Sequence, residues 1–197
     1  MKIEKCVKRM IFLILFVPVF FGIFVGLYLK LTNTKITDVS DKAIEYALKN
    51  EGLYSNDKDD SGGETKFGIS KRSYPNLDIK NLSVQKAKQI YKKDFWENQN
   101  YKNIKNENLA IKIFDLAVNV GTSRANKLIK RSLRSVNKKV EENGILDDIT
   151  ICLINESDAT DLLSALKSEA AGYYRLIVST KPHRAKYLKG WLNRAYK

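Results

Sequence analysis

Apolar residues recur along this chain in two ways, as one unbroken run near the N-terminus and at three- and four-residue intervals through most of the remainder. Ile11 to Leu29 (IFLILFVPVFFGIFVGLYL) is 19 positions long and uncharged. As a helix it would span about 28 Å, close to the hydrocarbon thickness of a bilayer. The pattern predicts a transmembrane anchor over 11–29, preceded by a tail at 1–10 and followed by a linker at 30–37. Thr37 or Asp38 is then placed to cap a helix that carries Val39, Ala43, Ala47 and Leu48 on one side and stops near Gly52. From Leu53 to Gly68 the pattern gives way to Asn, Asp, Ser and Gly with isolated aromatics, which reads as a loop containing a short hairpin at most.

Helical spacing resumes at Ser83, with Val84, Ala87, Tyr91 and Phe95 on one face. Leu109 to Val120 (LAIKIFDLAVNV) is apolar nearly all round, as a helix in the middle of a domain must be. Its polar residues Lys112, Asp115 and Asn119 share one face, where they would support a site as a polar network. Gly121 ends this helix. Thr122 or Ser123 is placed to cap the next, which buries Leu128, Ile129 and Val136 and shows Arg124, Lys127, Arg131 and Arg134 outward. Three further helices are expected near 145–155, 158–178 and 182–194. The fold class that follows is mainly α, with a short loop or hairpin between its first two helices and one transmembrane helix before it.

Charge and reactive side chains narrow the chemistry. The chain has 35 Lys and Arg against 22 Asp and Glu, a net +13, which points to an anionic partner. Lys2, Lys5, Lys8 and Arg9 precede the apolar run against Glu4 alone, so the positive-inside rule sends the rest of the chain across the membrane. Nucleic acid is therefore not expected as a partner. Cys6 and Cys152 would lie on opposite sides of the bilayer, so no intramolecular disulfide is expected. One histidine, His183, and two cysteines leave too few ligands for a His/Cys zinc site, and the same scarcity argues against Ser-His or Cys-His catalysis, which would have to run through His183. Carboxylates are left to do the work, and no cofactor is implied.

The informative stretch is EGLYSNDKDDSGGETKFGIS, Glu51 to Ser70. Glu51 falls at a helix C-terminus, where the negative end of the dipole disfavours its ionised form. A carboxylic acid kept protonated can protonate a glycosidic oxygen. Asp60, in the loop, would remain ionised to stabilise an oxocarbenium-like centre or activate water, and Thr65 would hold that water. Gly62 and Gly63 allow the backbone to turn and approach a sugar closely, and Tyr54 offers an aromatic face. By composition alone the same stretch also reads as an ordinary helix end and a solvated acidic turn. It lacks the ligand spacing of an EF-hand, and no Lys-Ser or Lys-Thr completes a P-loop.

The stretch resembles the signature of the glycoside hydrolase family 108 muramidases, roughly E-G-G-Y, N-D, D-D-P-G-G, T, G-I-T. Here it runs Glu51-Gly52-Leu53-Tyr54, Asn56-Asp57, Asp59-Asp60-Ser61-Gly62-Gly63, Thr65 and Gly68-Ile69-Ser70. The resemblance continues through Ala87 to Trp96 (AKQIYKKDFW) and Phe114 to Gly121 (FDLAVNVG), and into a C-terminal part that includes Asn143-Gly144 and Tyr187 to Arg194 (YLKGWLNR). Leu53 stands where the second glycine is usual and Val120 where histidine is frequent. The family's essential acid corresponds to Glu51.

The resemblance implies a lysozyme-like catalytic region over 38–135 with a peptidoglycan-binding helical region over 136–197 packed on it. It implies an N-acetylmuramidase, serving phage lysis or secretion-associated wall remodelling, with Glu51, Asp60 and Thr65 as catalytic residues and Tyr54, Gly62, Gly63 and Asn119 as substrate-binding residues. The alternative is a catalytically weak peptidoglycan-binding adaptor. The expected partners are peptidoglycan glycan strands, the inner membrane through the anchor, and a holin or secretion system. The expected form is a monomer, single-pass in the inner membrane, with its catalytic domain in the periplasm.

Overall fold

The computed structural model describes residues 38–56 and 63–197. The anchor at 11–29, the tail and linker around it, and Asp57, Asp59, Asp60 and Gly62 lie outside the described residues. Among the described residues no helix is long and apolar enough to cross a membrane.

Residues 39–197 form one compact unit. In chain order it contains α1 (Val39–Asn50), β1 (Tyr54–Ser55), β2 (Thr65–Lys66), β3 (Ile69–Ser70), α2 (Val84–Ile90), α3 (Glu107–Val120), α4 (Thr122–Ser135), α5 (Asp148–Glu156), α6 (Ala159–Thr180) and α7 (Ala185–Tyr196). Helix α2 runs on as a π-helical segment, Tyr91–Glu97, and short 3₁₀ turns stand at Asn100–Asn103 and Pro182–Arg184. The mainly α expectation holds, and the two expected regions share one hydrophobic core that extends from Ala43 to Ala195.

Local chemistry starts these helices. The side chains of Ser83, Asn106, Asp147 and Asp158 accept from backbone amides in the first turns of α2, α3, α5 and α6, where four N–H groups would otherwise lack partners. The α4 start departs from expectation: neither Thr122 nor Ser123 caps it. Gly121, at φ 84°, is the N-cap, and no side chain bonds the amides there.

Helix α3 lies at the centre, packed between α1 and α4. Its Phe114 is fully buried and meets Tyr91, Trp96 and Tyr101 at centroid distances of 6.2, 5.5 and 6.0 Å. Tyr91 and Trp96 are thus core residues, unavailable as sugar platforms. Each such side chain contributes about 1.5–3 kcal/mol on burial.

The basic face of α4 is partly committed inside the protein. Arg131 and Arg134 both pair with Glu142, and Arg124 lies over the Tyr173 ring at 5.1 Å. Lys130, fully buried, donates to Asn143 Oδ1 at 2.6 Å and so ties the 136–147 segment beneath the helix. Cys152 lies on α5, and Cys6 lies outside the described residues.

Candidate active site

Glu51 follows the last residue of α1, and its amide donates to Ala47 O at 3.1 Å, so the helix geometry carries through to its Cα. The chain then enters the three-stranded antiparallel sheet β1-β2-β3, paired Tyr54 with Lys66 and Lys66 with Ile69. The expected short hairpin is therefore one strand larger.

Phe67 and Gly68 join β2 to β3 with φ of 52° and 75°. Positive φ at both central residues is the geometry of the primed turns that match strand twist. Phenylalanine is an unusual occupant of such a position. It is held there because its ring is buried, its amide donates to Gly52 O at 3.1 Å, and its carbonyl accepts from Tyr91 Oη at 2.5 Å. Burial, with the Glu51 charge adding to it, pushes the Tyr91 hydroxyl far above its ordinary range, so it stays a donor.

These anchors press the turn onto Glu51. A Cβ on Gly68 would lie 2.6 Å from Tyr91 Oη and 2.8 Å from Glu51 Oε2. Only glycine fits, and Oε2 of Glu51 thereby faces the turn.

The other carboxylate oxygen is held from the C-terminal end of the chain. Arg194, in the last turn of α7, donates from Nη1 to Glu51 Oε1 at 2.7 Å. Its remaining nitrogens engage Asp115 of α3, Nη2 to Oδ1 at 2.9 Å and Nε to Oδ2 at 3.2 Å. Asp115 has no solvent exposure, and Asn50 Nδ2 donates to its Oδ1 at 3.1 Å. Burial alone would lower the Arg194 pKa, but the Asp115 and Glu51 carboxylates outweigh it and hold it above its ordinary value. The sequence argument from the helix dipole did not include this guanidinium, which pairs with Glu51.

The polar face of α3 builds this network as expected. Lys112 Nζ donates to the Arg194 carbonyl at 2.5 Å, fixing the end of α7, and Asn119 Oδ1 accepts from Tyr174 Oη at 2.7 Å. Burial pushes the Lys112 ammonium down to about 8, with Asp115 opposing the shift.

The unfolded chain keeps this proton up to pH about 10.4. Between about pH 8 and 10.4 it therefore binds more protons than the folded protein, and this group adds stability as pH rises through that window. In Lys112→Met the titration is gone. The Tm of wild type relative to this variant is expected to climb between pH 8 and pH 10, and a flat difference would show that Lys112 titrates normally.

A cleft of ≈ 990 Å³ opens beside Glu51, lined by Asn50, Glu51 and Asn119 on one side and by α7 on the other. Of the residues expected to form the site, Glu51 and Asn119 meet here. Tyr54, Gly63 and Thr65 sit on or beside the sheet and do not line the cleft. Tyr54 Oη is engaged with Glu64 Oε1 at 2.9 Å, which raises its pKa, and Thr65 Oγ1 donates to Gly63 O at 3.0 Å. Leu53 is 77% exposed and does not narrow the cleft. Arg194 is the residue that sequence reasoning missed; its one signal was its place at the end of the YLKGWLNR run.

A helical domain in which a carboxylate at a helix end meets a small antiparallel sheet and looks into an open cleft has the architecture of a lysozyme-like glycoside hydrolase. Residues 44–121 match the family described as Glycosyl hydrolase 108, and on that match the chain is a glycoside hydrolase. The match contains Glu51, the sheet and α3, and ends before α4, leaving Arg194 outside it.

The fold is similar to the structure of SagA from Brucella abortus, with a TM-score of 0.62 and 20% identity over 80% of this chain and 93% of that one. At that identity the likeness concerns the fold. No curated protein matches the sequence. A peptidoglycan-cleaving, lysozyme-like activity is what family and fold support.

Proposed function

We propose that the protein is an N-acetylmuramidase that hydrolyses the bond between N-acetylmuramic acid and N-acetylglucosamine in peptidoglycan. One observation carries this reading: Glu51 stands at the floor of the cleft with both oxygens oriented, Oε1 by Arg194 and Oε2 by the turn at Gly68. In this reading Oε2 is the oxygen that delivers a proton to the glycosidic oxygen as the bond from that oxygen to the anomeric carbon breaks. Water adds to the anomeric carbon.

Asp60 is the second carboxylate, stabilising the oxocarbenium-like centre or taking the proton of that water. Thr65, whose hydroxyl hydrogen is directed to Gly63 O, keeps its lone pairs to accept from the water. Gly62 and Gly63 let the loop approach the sugar, and Asn119, which lines the cleft, contacts it. Arg194 acts through Glu51 and is a positioning residue.

Purified sacculi incubated with the protein should release soluble fragments with reducing N-acetylmuramic acid ends, read by mass spectrometry. Anhydro ends would indicate transglycosylation, and no release would leave the adaptor reading. Asp60→Asn is expected to lose most of the activity while Asp57→Asn and Asp59→Asn keep most of it. Equal losses at all three would mean that the loop is structural.

For the N-terminal segment the proposal is a retained inner-membrane anchor at 11–29 with the hydrolase on the periplasmic side. The stretch from Lys30 to Thr37 then limits its reach to about 25 Å. Cell fractionation with an immunoblot should find the full-length chain in the membrane fraction; a soluble or shortened form would defeat the tether. Neighbouring genes for a holin or for secretion components would separate the two biological roles.

A further inference from the structure

Two locally unfavourable segments meet beside Glu51. Phe67 holds a φ of 52° in the β2–β3 turn, and the helix begun by α2 widens into a π-helical turn over Tyr91–Glu97. The widening has a packing cause. Tyr91 and Trp96 are both buried, and both meet the Phe114 ring edge-on, at 6.2 and 5.5 Å. In an α-helix residues five apart point about 140° away from each other, whereas i→i+5 bonding brings them onto one face.

The widened turn also grips the hairpin on both sides of β3. Tyr91 Oη donates to Phe67 O, just before the strand, at 2.5 Å. Three residues on, Asp94 Oδ2 accepts from Tyr74 Oη at 2.9 Å, and the Tyr74 amide donates to Ser70 O at the end of the strand. Burial raises the pKa of both hydroxyls, joined at Tyr74 by the bond to Asp94, so both stay donors.

The effect of this grip falls on one oxygen. Gly68 follows Phe67, and the position its missing Cβ would take is 2.6 Å from Tyr91 Oη and 2.8 Å from Glu51 Oε2. With no side chain at Gly68, the bond from Tyr91 sets how closely the turn backbone lies on the carboxylate. Glu51 needs that restraint, because the terminal torsion of a glutamate is broad and Arg194 holds only Oε1. We infer that Tyr91 is a positioning residue for the reaction: its hydroxyl, presented by the π-helical turn, holds the Phe67–Gly68 turn against Glu51 and so keeps Oε2 in its working direction. This rests on the muramidase reading and adds a residue to the machinery of that site.

Tyr91→Phe keeps the ring and its packing and deletes the one hydroxyl. At a temperature where circular dichroism shows the variant fully folded, kcat on soluble glycan strands is expected to fall about tenfold or more, with KM within about twofold of wild type. A hydroxyl that merely stabilises the fold would lower Tm and leave kcat unchanged, and that result would overturn the inference, as would a rise in KM alone. If the variant does not fold, Tyr74→Phe loosens the same hairpin from its other side: a lower kcat at unchanged KM would support the inference and a wild-type kcat would overturn it.

Crystal structures of wild type and Tyr91→Phe need no turnover and keep the failures apart. The turn is expected to draw back from Glu51 and the carboxylate to rotate in the variant; an unmoved carboxylate would overturn the inference. Wild-type protein that releases no fragments from sacculi would instead defeat the muramidase reading, and the carboxylate in the variant would still decide what Tyr91 holds.

Discussion

Glu51→Gln is expected to reduce release of soluble wall fragments by at least about a hundredfold while the folded structure persists. The glutamine carbonyl can still accept from Arg194 Nη1, now 2.7 Å from Glu51 Oε1, and the amide nitrogen takes the place of Oε2 beside Gly68. Arg194 keeps its two bonds to the Asp115 carboxylate, so no buried cation is left without a counter-charge. The stability change should therefore stay within about 1 kcal/mol, while the group able to give up an acidic proton is gone. Wall clearing near the wild-type rate would remove Glu51 from the chemistry. A large fall in Tm would assign it instead to holding α7 in place.

Half of this site was legible along the chain because it is local. The end of α1, the polar turn region and the shared face of Lys112, Asp115 and Asn119 are all set by spacing within one helix or loop, and periodicity reports such spacing directly. The other half joins residues far apart in sequence. Arg194 lies 79 positions from Asp115 and 143 from Glu51, and the pattern of α7 marks an amphipathic helix without naming its partner.

The β2–β3 turn was hidden for a different reason. Phe67 at positive φ contradicts local preference, and tertiary anchors at Tyr91 and Gly52 override it. The π-helical segment Tyr91–Glu97 likewise continues an apolar face that reads as ordinary α-helix. The α4 cap failed because Gly121 adopts a conformation that turns the chain before Thr122 or Ser123 can serve. The Phe67–Gly68 turn lies against Glu51, where fold and function place different demands on the same residues.

Arg194 is where those demands can be separated. Arg194→Met leaves the Asp115 carboxylate fully buried beside a single amide donor from Asn50 and should destabilise the protein by about 3–5 kcal/mol. For a chain of this size that is a fall in Tm on the order of 10 °C. Arg194→Lys should restore only part of the loss, because a point charge cannot bond two carboxylates as a planar fork does.

Adding Asp115→Leu to Arg194→Met removes the uncompensated charge, and replacement of a whole buried pair by apolar side chains is often neutral in stability. The double variant is thus expected to recover most of the Tm. It should not recover the rate, since Oε1 of Glu51 would still lack the guanidinium that fixes its direction toward the cleft. Recovery of both would make Arg194 a purely structural residue. Recovery of stability alone, with kcat low and KM little changed, would show that its bond to Glu51 serves the reaction.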